Sequence, residues 1–525
     1  MNVSTDETEL PHHVDVLILG AGISGIGAAY ELTRQCPDRS FAVLEAFESF
    51  GGTWLAHRYP GVRSDSDLFT YGFRFKPWTG RPIASRDEIL QYLGETIEEN
   101  GLGSHFHYGC RVISADWRSD QGHWRVAVLR GADQKPFQIT CSFLWSCQGY
   151  YRHGEGYTPS WPGMEQFEGS IVHPQTWPKE LDFSGKRVVV IGSGATAATL
   201  VPALAPECEH VTMLQRSPTY FSPAPNRDAL ADTLRDLGVE PATVHDIMRK
   251  KIVRDQQIML TRALEDPEAT KAAMLATVAT FLPPDQVEAH FTPTYKPWQQ
   301  RVALVPNGDL FKALRTGKAS VVTDHIESFT PTGLRLVSGR ELDADVVVTA
   351  TGFEMSALGD TVMKIDGEPL KFSDSVSYRG ILHTGIPNMA RTMGYFRVSS
   401  WTLRVHLVSD FVCRLLNQMR VIGASSVEVQ LPPEAQEEGS KSGMDSDVFN
   451  AGYILRALHL MPKRGPSRDW QTMDYWAEQS DLPAVRLDGD VFGYRDAAGR
   501  PIEEDRRAAG EPSLVAVPQP IREPG

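Results

Sequence analysis

Residues 14–25 read VDVLILGAGISG, and residues 187–197 read RVVVIGSGATA. Each is a short apolar run that ends in a glycine turn. Each is followed by a helical pattern, IGAAYELTRQC after the first and ATLVPALA after the second. A second strand then closes each unit, SFAVLEA ending near Glu45 and HVTMLQRS ending near Arg216. A lone glycine turn is a weak signal, but here the strand–turn–helix–strand context is met twice. The chain is therefore predicted to be α/β, with two Rossmann-like dinucleotide-binding domains.

The two units differ beyond the turn. In the first, Gly20 permits the tight turn, Gly22 lets backbone approach a pyrophosphate, and Gly25 lets the helix meet the strand. The pyrophosphate would rest on the helix N-terminus. Glu45 lies 20 residues past Gly25, where a carboxylate can accept from ribose hydroxyls. In the second, Gly192, Gly194 and Ala197 hold the turn, and no acid comes after it. Arg216 and Ser217 stand there instead, a guanidinium and a hydroxyl that suit a 2′-phosphate. The simplest assignment is FAD at the first turn and NADPH at the second, the layout of a flavoprotein reduced by hydride transfer.

The rest of the chain divides around these units. Residues 1–150 form a first FAD-domain segment, and residues 151–352 form the NADPH domain, with a helical insertion at about 222–290. Residues 353–430 return to the FAD domain, and residues 431–525 are a C-terminal extension. Residues 151–180, rich in Pro and Gly, read as loop; residues 86–100 and 401–422 read as helices. The polar stretch 431–447 reads as a surface loop, and the tail after about 488 as poorly ordered at its end.

Composition narrows the class. A net charge of −14 repels nucleic acid and anionic lipid, so neither is expected as a partner. The six cysteines form no CxxC and no zinc spacing, as expected of buried thiols in a reducing cytoplasm; no metal site is expected. The acidic, polar N-terminus has no secretory pattern, and no apolar run reaches a membrane span of about 20 residues, so a cytoplasmic protein is expected. Composition carries no information on oligomeric state.

Just ahead of the second turn lies FEGSIVHPQTWP, residues 167–178, in which Phe167, Gly169, His173 and Trp177 stand at fixed offsets before Pro178. By chemistry alone His173 could be a metal ligand or a base. No partner stands at metal spacing and the surroundings are loop, which favours a structural role.

This run resembles the central fingerprint of the Baeyer–Villiger monooxygenases, and its Trp-Pro ending separates them from other flavin-containing monooxygenases. GGTWLAHRYPGVRSD, residues 51–65, resembles a second signature of that family. RSDSDLFTYGFRFKPW, MLQRSPTY, RVALVPNGDLF and TGIPNMA are similar to the ethionamide-activating branch. The resemblance runs from about residue 14 to about 465. It implies an enzyme that uses FAD, NADPH and O2, and that inserts one oxygen atom beside a ketone carbonyl through a C4a-peroxyflavin to give an ester or lactone.

The resemblance also implies roles. Arg301 would be the permanent cation beside the flavin, with Asp65 positioning it; Gly52, Thr53 and Trp54 would belong to the flavin-side loop. Phe167, Gly169, His173 and Trp177 would tie the linker to both domains and couple domain rotation to the nicotinamide position. Two departures stand out. SCQGYY puts Cys147 and Gln148 where two small residues are usual, whereas Ala350-Thr351-Gly352 is intact. The loop GYFRVSSWTL, residues 394–403, is one residue longer and carries Arg397, so the substrate can differ.

Three alternatives stand beside this one. A flavin S- or N-oxygenase acting on thioethers, thioamides or amines would use the same cofactors, and sequence does not separate it. A pyridine-nucleotide disulfide reductase needs a redox cysteine pair after Glu45, where there is none. A non-enzymatic nucleotide-binding module would not need Arg301, Asp65 and two cofactor sites.

Overall fold

The computed structural model describes residues 10–395, 400–432, 450–471 and 474–503. Its larger sheet is built around His13–Leu19, which lies between Phe41–Leu44 and Lys135–Ser146, parallel to both. Buried on both faces, it can be apolar at nearly every position. The helix Ile23–Gln35 crosses between the first two strands. It packs on Leu403–Ile422, a helix of 20 residues that comes from far along the chain. Met389–Arg391 joins the end of Lys135–Ser146 in parallel, and Val362–Ile365 joins the strand Cys110–Arg118. This sheet therefore takes strands from both ends of the chain.

The second sheet is parallel throughout, in the order Ala319–Thr323, His210–Gln215, Arg187–Ile191, Val346–Thr349, Ser170–Val172. Both sheets match the two strand–turn–helix–strand units expected from sequence. Between the strands Phe221–Ala224 and Ala303–Pro306 the chain runs through the helices Ala229–Asp236, Pro241–Glu265, Pro267–Ala279 and Pro284–Phe291. Buried Arg249, on the longest of these, donates to the carbonyls of Phe69, Thr70 and Gly72 and so fastens the insertion to the opposite half of the molecule.

The chain crosses between the halves twice. The outgoing strand Tyr151–Gly156 and the returning strand Phe353–Met355 pair antiparallel, Gly156 opposite Phe353 and Tyr151 opposite Met355. This corrects the expectation of loop over residues 151–180, which also contain the edge strand Ser170–Val172. Both strands owe their pairing to partners far along the chain, so their local Gly and Pro content misleads.

The expected loop at 431–447 lies almost wholly outside the described residues, as does Arg397. Past it, the chain packs back on the larger sheet's side. Glu478, fully buried on the helix Tyr475–Ala484, receives two hydrogen bonds at 2.9 Å from Arg404. Phe492–Arg495 pairs with Ser426–Val429; the end of the tail, residues 504–525, lies outside the described residues. All six cysteines are buried free thiols. No helix among the described residues is long and apolar enough to cross a membrane.

Candidate active site

The two glycine turns share one geometry. Gly22 and Gly194, each the residue before its helix, both have φ −77° and ψ −173°. Neither helix start carries a side-chain cap, so the first-turn N–H groups of both are left to whatever lies in front. Gly20 and Gly192 have φ of +101° and +134°. A Cβ on Gly20 would stand 2.7 Å from the Cys147 carbonyl oxygen, and one on Gly192 would stand 2.3 Å from that of Ala350. Cys147–Gly149 and Ala350–Gly352 thus close the two turns in the same way, despite their different side chains.

One cavity of about 1350 Å³ runs from the first turn to the second. Gly20, Gly22, Glu45, Gly52, Thr53, Trp54, Asp65, Gly192, Gly194, Arg216, Ser217 and Arg301 line it. Gly25 and Ala197 do not: they stand behind the turns, where a Cβ on Gly25 would meet the Gly20 carbonyl oxygen at 1.9 Å and Ala197 is fully buried. Gly52 has φ +52° and its Cβ position is 3.1 Å from the Cα of Gly22. Two glycines face each other there, leaving a slot that side chains would fill.

Glu45 ends its strand with one carboxylate oxygen accepting from the Ala21 N–H at 2.7 Å and the other from the Phe47 N–H at 2.9 Å. Burial lifts its pKa against the pull of those donors. Each oxygen keeps a lone pair toward the cavity, the chemistry that ribose hydroxyls need. Arg216 is exposed at the far end, beside Ser217. These features fit an FAD at the first turn and an NADP(H) at the second: two uncapped helix starts, two cradles cleared of Cβ atoms, a carboxylate at one and a guanidinium at the other.

Arg301 stands between the cradles. Its Nε donates to Asp65 Oδ2 at 2.9 Å and its Nη2 to Ser66 Oγ at 3.4 Å. The side chain keeps 28% exposure, and it lines the cavity. Burial works to lower its pKa, but Asp65 and then the phenols of Tyr150, Tyr453 and Tyr151 outweigh burial and hold it above the ordinary arginine value. The charge on Arg301 is therefore permanent. Aromatic side chains line the same cavity as Arg301. Tyr150 donates to the Tyr151 hydroxyl at 3.0 Å, and Trp54 donates to the Tyr71 hydroxyl at 2.8 Å. Burial pushes the Tyr150 phenol up to about 12 and raises those of Tyr71, Tyr151 and Tyr453 as well, so all four stay protonated. Sequence reasoning missed Tyr453 as a site residue, and it met Tyr150 and Tyr151 only as part of SCQGYY. Nothing local marks them, because they converge from a crossing strand and from the C-terminal segment.

The fingerprint residues line no part of the cavity. Phe167 packs edge-on to Phe329 at 5.9 Å, and a Cβ on Gly169 would be 2.4 Å from the Asp345 carbonyl oxygen, so these two seat the edge strand. Trp177 meets Phe183 edge-on at 6.2 Å. His173 lies against the paired crossings: a Cβ on Gly156 would fall 2.0 Å from its ring. Burial lowers its pKa.

Comparison with known proteins agrees with this layout. Residues 82–223 match the flavin-binding monooxygenase-like family, and residues 18–81 match an NAD(P)-binding Rossmann-like domain. FAD-containing monooxygenase EthA of Mycobacterium tuberculosis is 46% identical over 481 residues, which cover 91% of this chain and 96% of the relative. Probable FAD-binding monooxygenase AlmA of an Acinetobacter species is 43% identical over 506 residues, covering 96% and 99%. Among solved structures, an oxidized steroid monooxygenase bound to NADP superposes with a TM-score of 0.74 at 22% identity, covering 92% of this chain and all of that one. Cyclohexanone monooxygenase from Rhodococcus sp. Phi1 bound to NADP+ gives 0.71 at 22% identity, covering 93% and 100%. At that identity the two structures speak to the fold.

Proposed function

This chain belongs to the FAD-containing monooxygenases, in the branch that includes EthA, and from that premise we propose that it is an NADPH-consuming Baeyer–Villiger enzyme that turns a ketone into an ester or lactone. The observation that carries the reading is Arg301, held by Asp65 in the single cavity that joins both glycine turns. Gly20, Gly22, Gly52, Thr53, Trp54 and Glu45 would hold FAD. Gly192, Gly194, Arg216 and Ser217 would hold NADPH. Bound there, the flavin supplies two-electron chemistry with NADPH and the activation of O2.

The chain's own part is electrostatic. Oxygen insertion beside a carbonyl develops negative charge on oxygen, and a fixed cation in a water-poor site stabilises that charge as it forms. Arg301 is such a cation, and Asp65 orients its guanidinium rather than reacting. The aromatic wall excludes water and leaves an apolar face for a ketone. The paired crossings, with His173 beside them, set how the two cradles approach each other, and so where the hydride donor sits. The free, buried thiols support a cytoplasmic setting.

One observation favours a second reading. The protonated phenols of Tyr150, Tyr151 and Tyr453 stand around Arg301. Oxygen transfer to a thioether, thioamide or amine needs a proton delivered to the oxygen left behind, and phenols can deliver it. The test is turnover with NADPH under 18O2 on a ketone and a thioether of similar size. Labelled ester supports the first reading, sulfoxide alone the second, and NADPH-independent products or none would sink both.

A further inference from the structure

His57 stands in the first-cradle loop, two residues before Tyr59, and neither the cradles nor the Arg301 site uses it. It is 5% exposed and lines the cavity, yet its Nε2 has no hydrogen-bond partner. Its ring lies flat on that of Phe353, centroids 5.4 Å apart and 8° from parallel. A phenyl ring would make that stack equally well. An imidazole there leaves a buried polar atom unmet, which native structures rarely tolerate without a ligand or water.

A metal is not the missing partner. His153 and His173 are the histidines nearest in electrostatic reach, but His173 uses Nε2 on the Gly352 carbonyl and Nδ1 on the Gln175 N–H. The three do not form a ligand cluster; among the described residues the only such cluster is Glu31, His406 and Asp410, elsewhere in the fold. Burial and the neighbouring histidines hold the His57 pKa down to about 3, so the ring is neutral and offers one donor and one acceptor.

We propose that His57 binds the nicotinamide half of NADPH by hydrogen bonding to its carboxamide or ribose hydroxyls. This rests on the cofactor assignment above. Phe353 directly follows Ala350–Gly352, the segment that closes the second glycine turn. A dinucleotide with its pyrophosphate on Gly192 and Gly194 would pass this segment to bring its ring toward Arg301. His57, stacked on Phe353 and lining the same cavity, would meet it there. The carboxamide and the ribose hydroxyls both donate and accept, matching a neutral imidazole.

The test is calorimetric titration of the FAD-loaded enzyme with NADP+ and, separately, with 2′,5′-ADP, which lacks the nicotinamide half. His57→Phe keeps the stack on Phe353 and removes both nitrogens. It is expected to weaken NADP+ about tenfold, the worth of one buried hydrogen bond, and to leave 2′,5′-ADP within about twofold; His57→Asn should recover most of the NADP+ affinity. Equal weakening of both ligands would make His57 a scaffold residue and overturn the proposal. Unchanged NADP+ binding with a raised KM for the organic substrate would assign the imidazole to that substrate, and no change anywhere would also overturn it. Wild-type enzyme that binds neither nucleotide would bring down the cofactor assignment itself.

Discussion

His173 donates from Nε2 to the Gly352 carbonyl at 3.0 Å, while its Nδ1 accepts from the Gln175 N–H at 3.1 Å. Those two bonds fix one neutral tautomer and leave the ring no proton to trade. Gly352 begins the return crossing and Gly156 ends the outgoing one, so the imidazole braces both passes between the sheets. Replacing it with Ala should leave FAD bound, since Gly20, Gly22 and Glu45 are untouched. A small misplacement of the hydride donor is costly, so more hydrogen peroxide should be released per NADPH oxidised. Gly156→Ala, which crowds the same ring, should do likewise. Peroxide yield per NADPH that matches wild type in both variants would remove this role.

Arg301→Ala should leave flavin reduction by NADPH largely intact and abolish oxygenated product. The fixed cation is needed when negative oxygen develops, not during hydride transfer. Stopped-flow bleaching of the flavin, set beside product analysis, separates the two steps. Wild-type yields of ester or sulfoxide would refute the assignment of Arg301.

Arg216→Ala should raise the KM for NADPH much more than that for NADH. A charge-assisted contact to phosphate is worth roughly 1.5–3 kcal/mol when buried, but Arg216 is exposed, so a loss of selectivity of about tenfold is expected, the low end of that range. An unchanged ratio of kcat/KM for the two nucleotides would place the 2′-phosphate elsewhere.

Glu478→Ala should be among the most damaging single changes outside the cavity. It takes the counter-charge from the buried Arg404 guanidinium, which is left with the carbonyls of Arg379, Gly380 and Met393, and breaking a buried pair in this way costs about 3–5 kcal/mol. Denaturant midpoints will show it. A loss below about 1 kcal/mol would mean that Arg404 finds water or another acceptor.

Acid should destabilise the fold through its neutral histidines. Burial holds His57 at about 3 and His245 at about 4, whereas an unfolded histidine titrates near 6.5. Between those values the unfolded chain binds more protons, so stability falls as pH drops from about 6.5 toward 4. At pH 5 each buried imidazole removes about 2 kcal/mol. His57→Phe should flatten the curve of Tm against pH in that window; a curve parallel to wild type would show that His57 is protonated in the fold.

Both glycine turns are legible because each is written in one contiguous stretch: strand, turn, helix and the polar residue at the end of the next strand. Arg301 and Asp65 are 236 positions apart, and no spacing rule connects them; only their likeness to a family brings them together. The aromatic wall escapes a sequence reading for the same reason without that help, since Tyr151 and Tyr453 come from segments that read as loop and extension. The strand Tyr151–Gly156 is misread because pairing in a sheet is decided by the partner strand, and its partner is distant. Gly25 and Ala197 belong to the turns in sequence, yet they serve packing behind them rather than the cavity.

The larger sheet's debt to both ends of the chain has a consequence for biosynthesis. The second sheet draws all five strands from residues 170–349, one uninterrupted stretch. The first glycine turn leaves the ribosome before that stretch, but the face its helix packs against, Leu403–Ile422, is made only after it. Domains fold as their contacts become available. The order of assembly thus runs against the order of synthesis: the second sheet can close first, and the first cradle waits for the helix Leu403–Ile422 before it can hold a flavin.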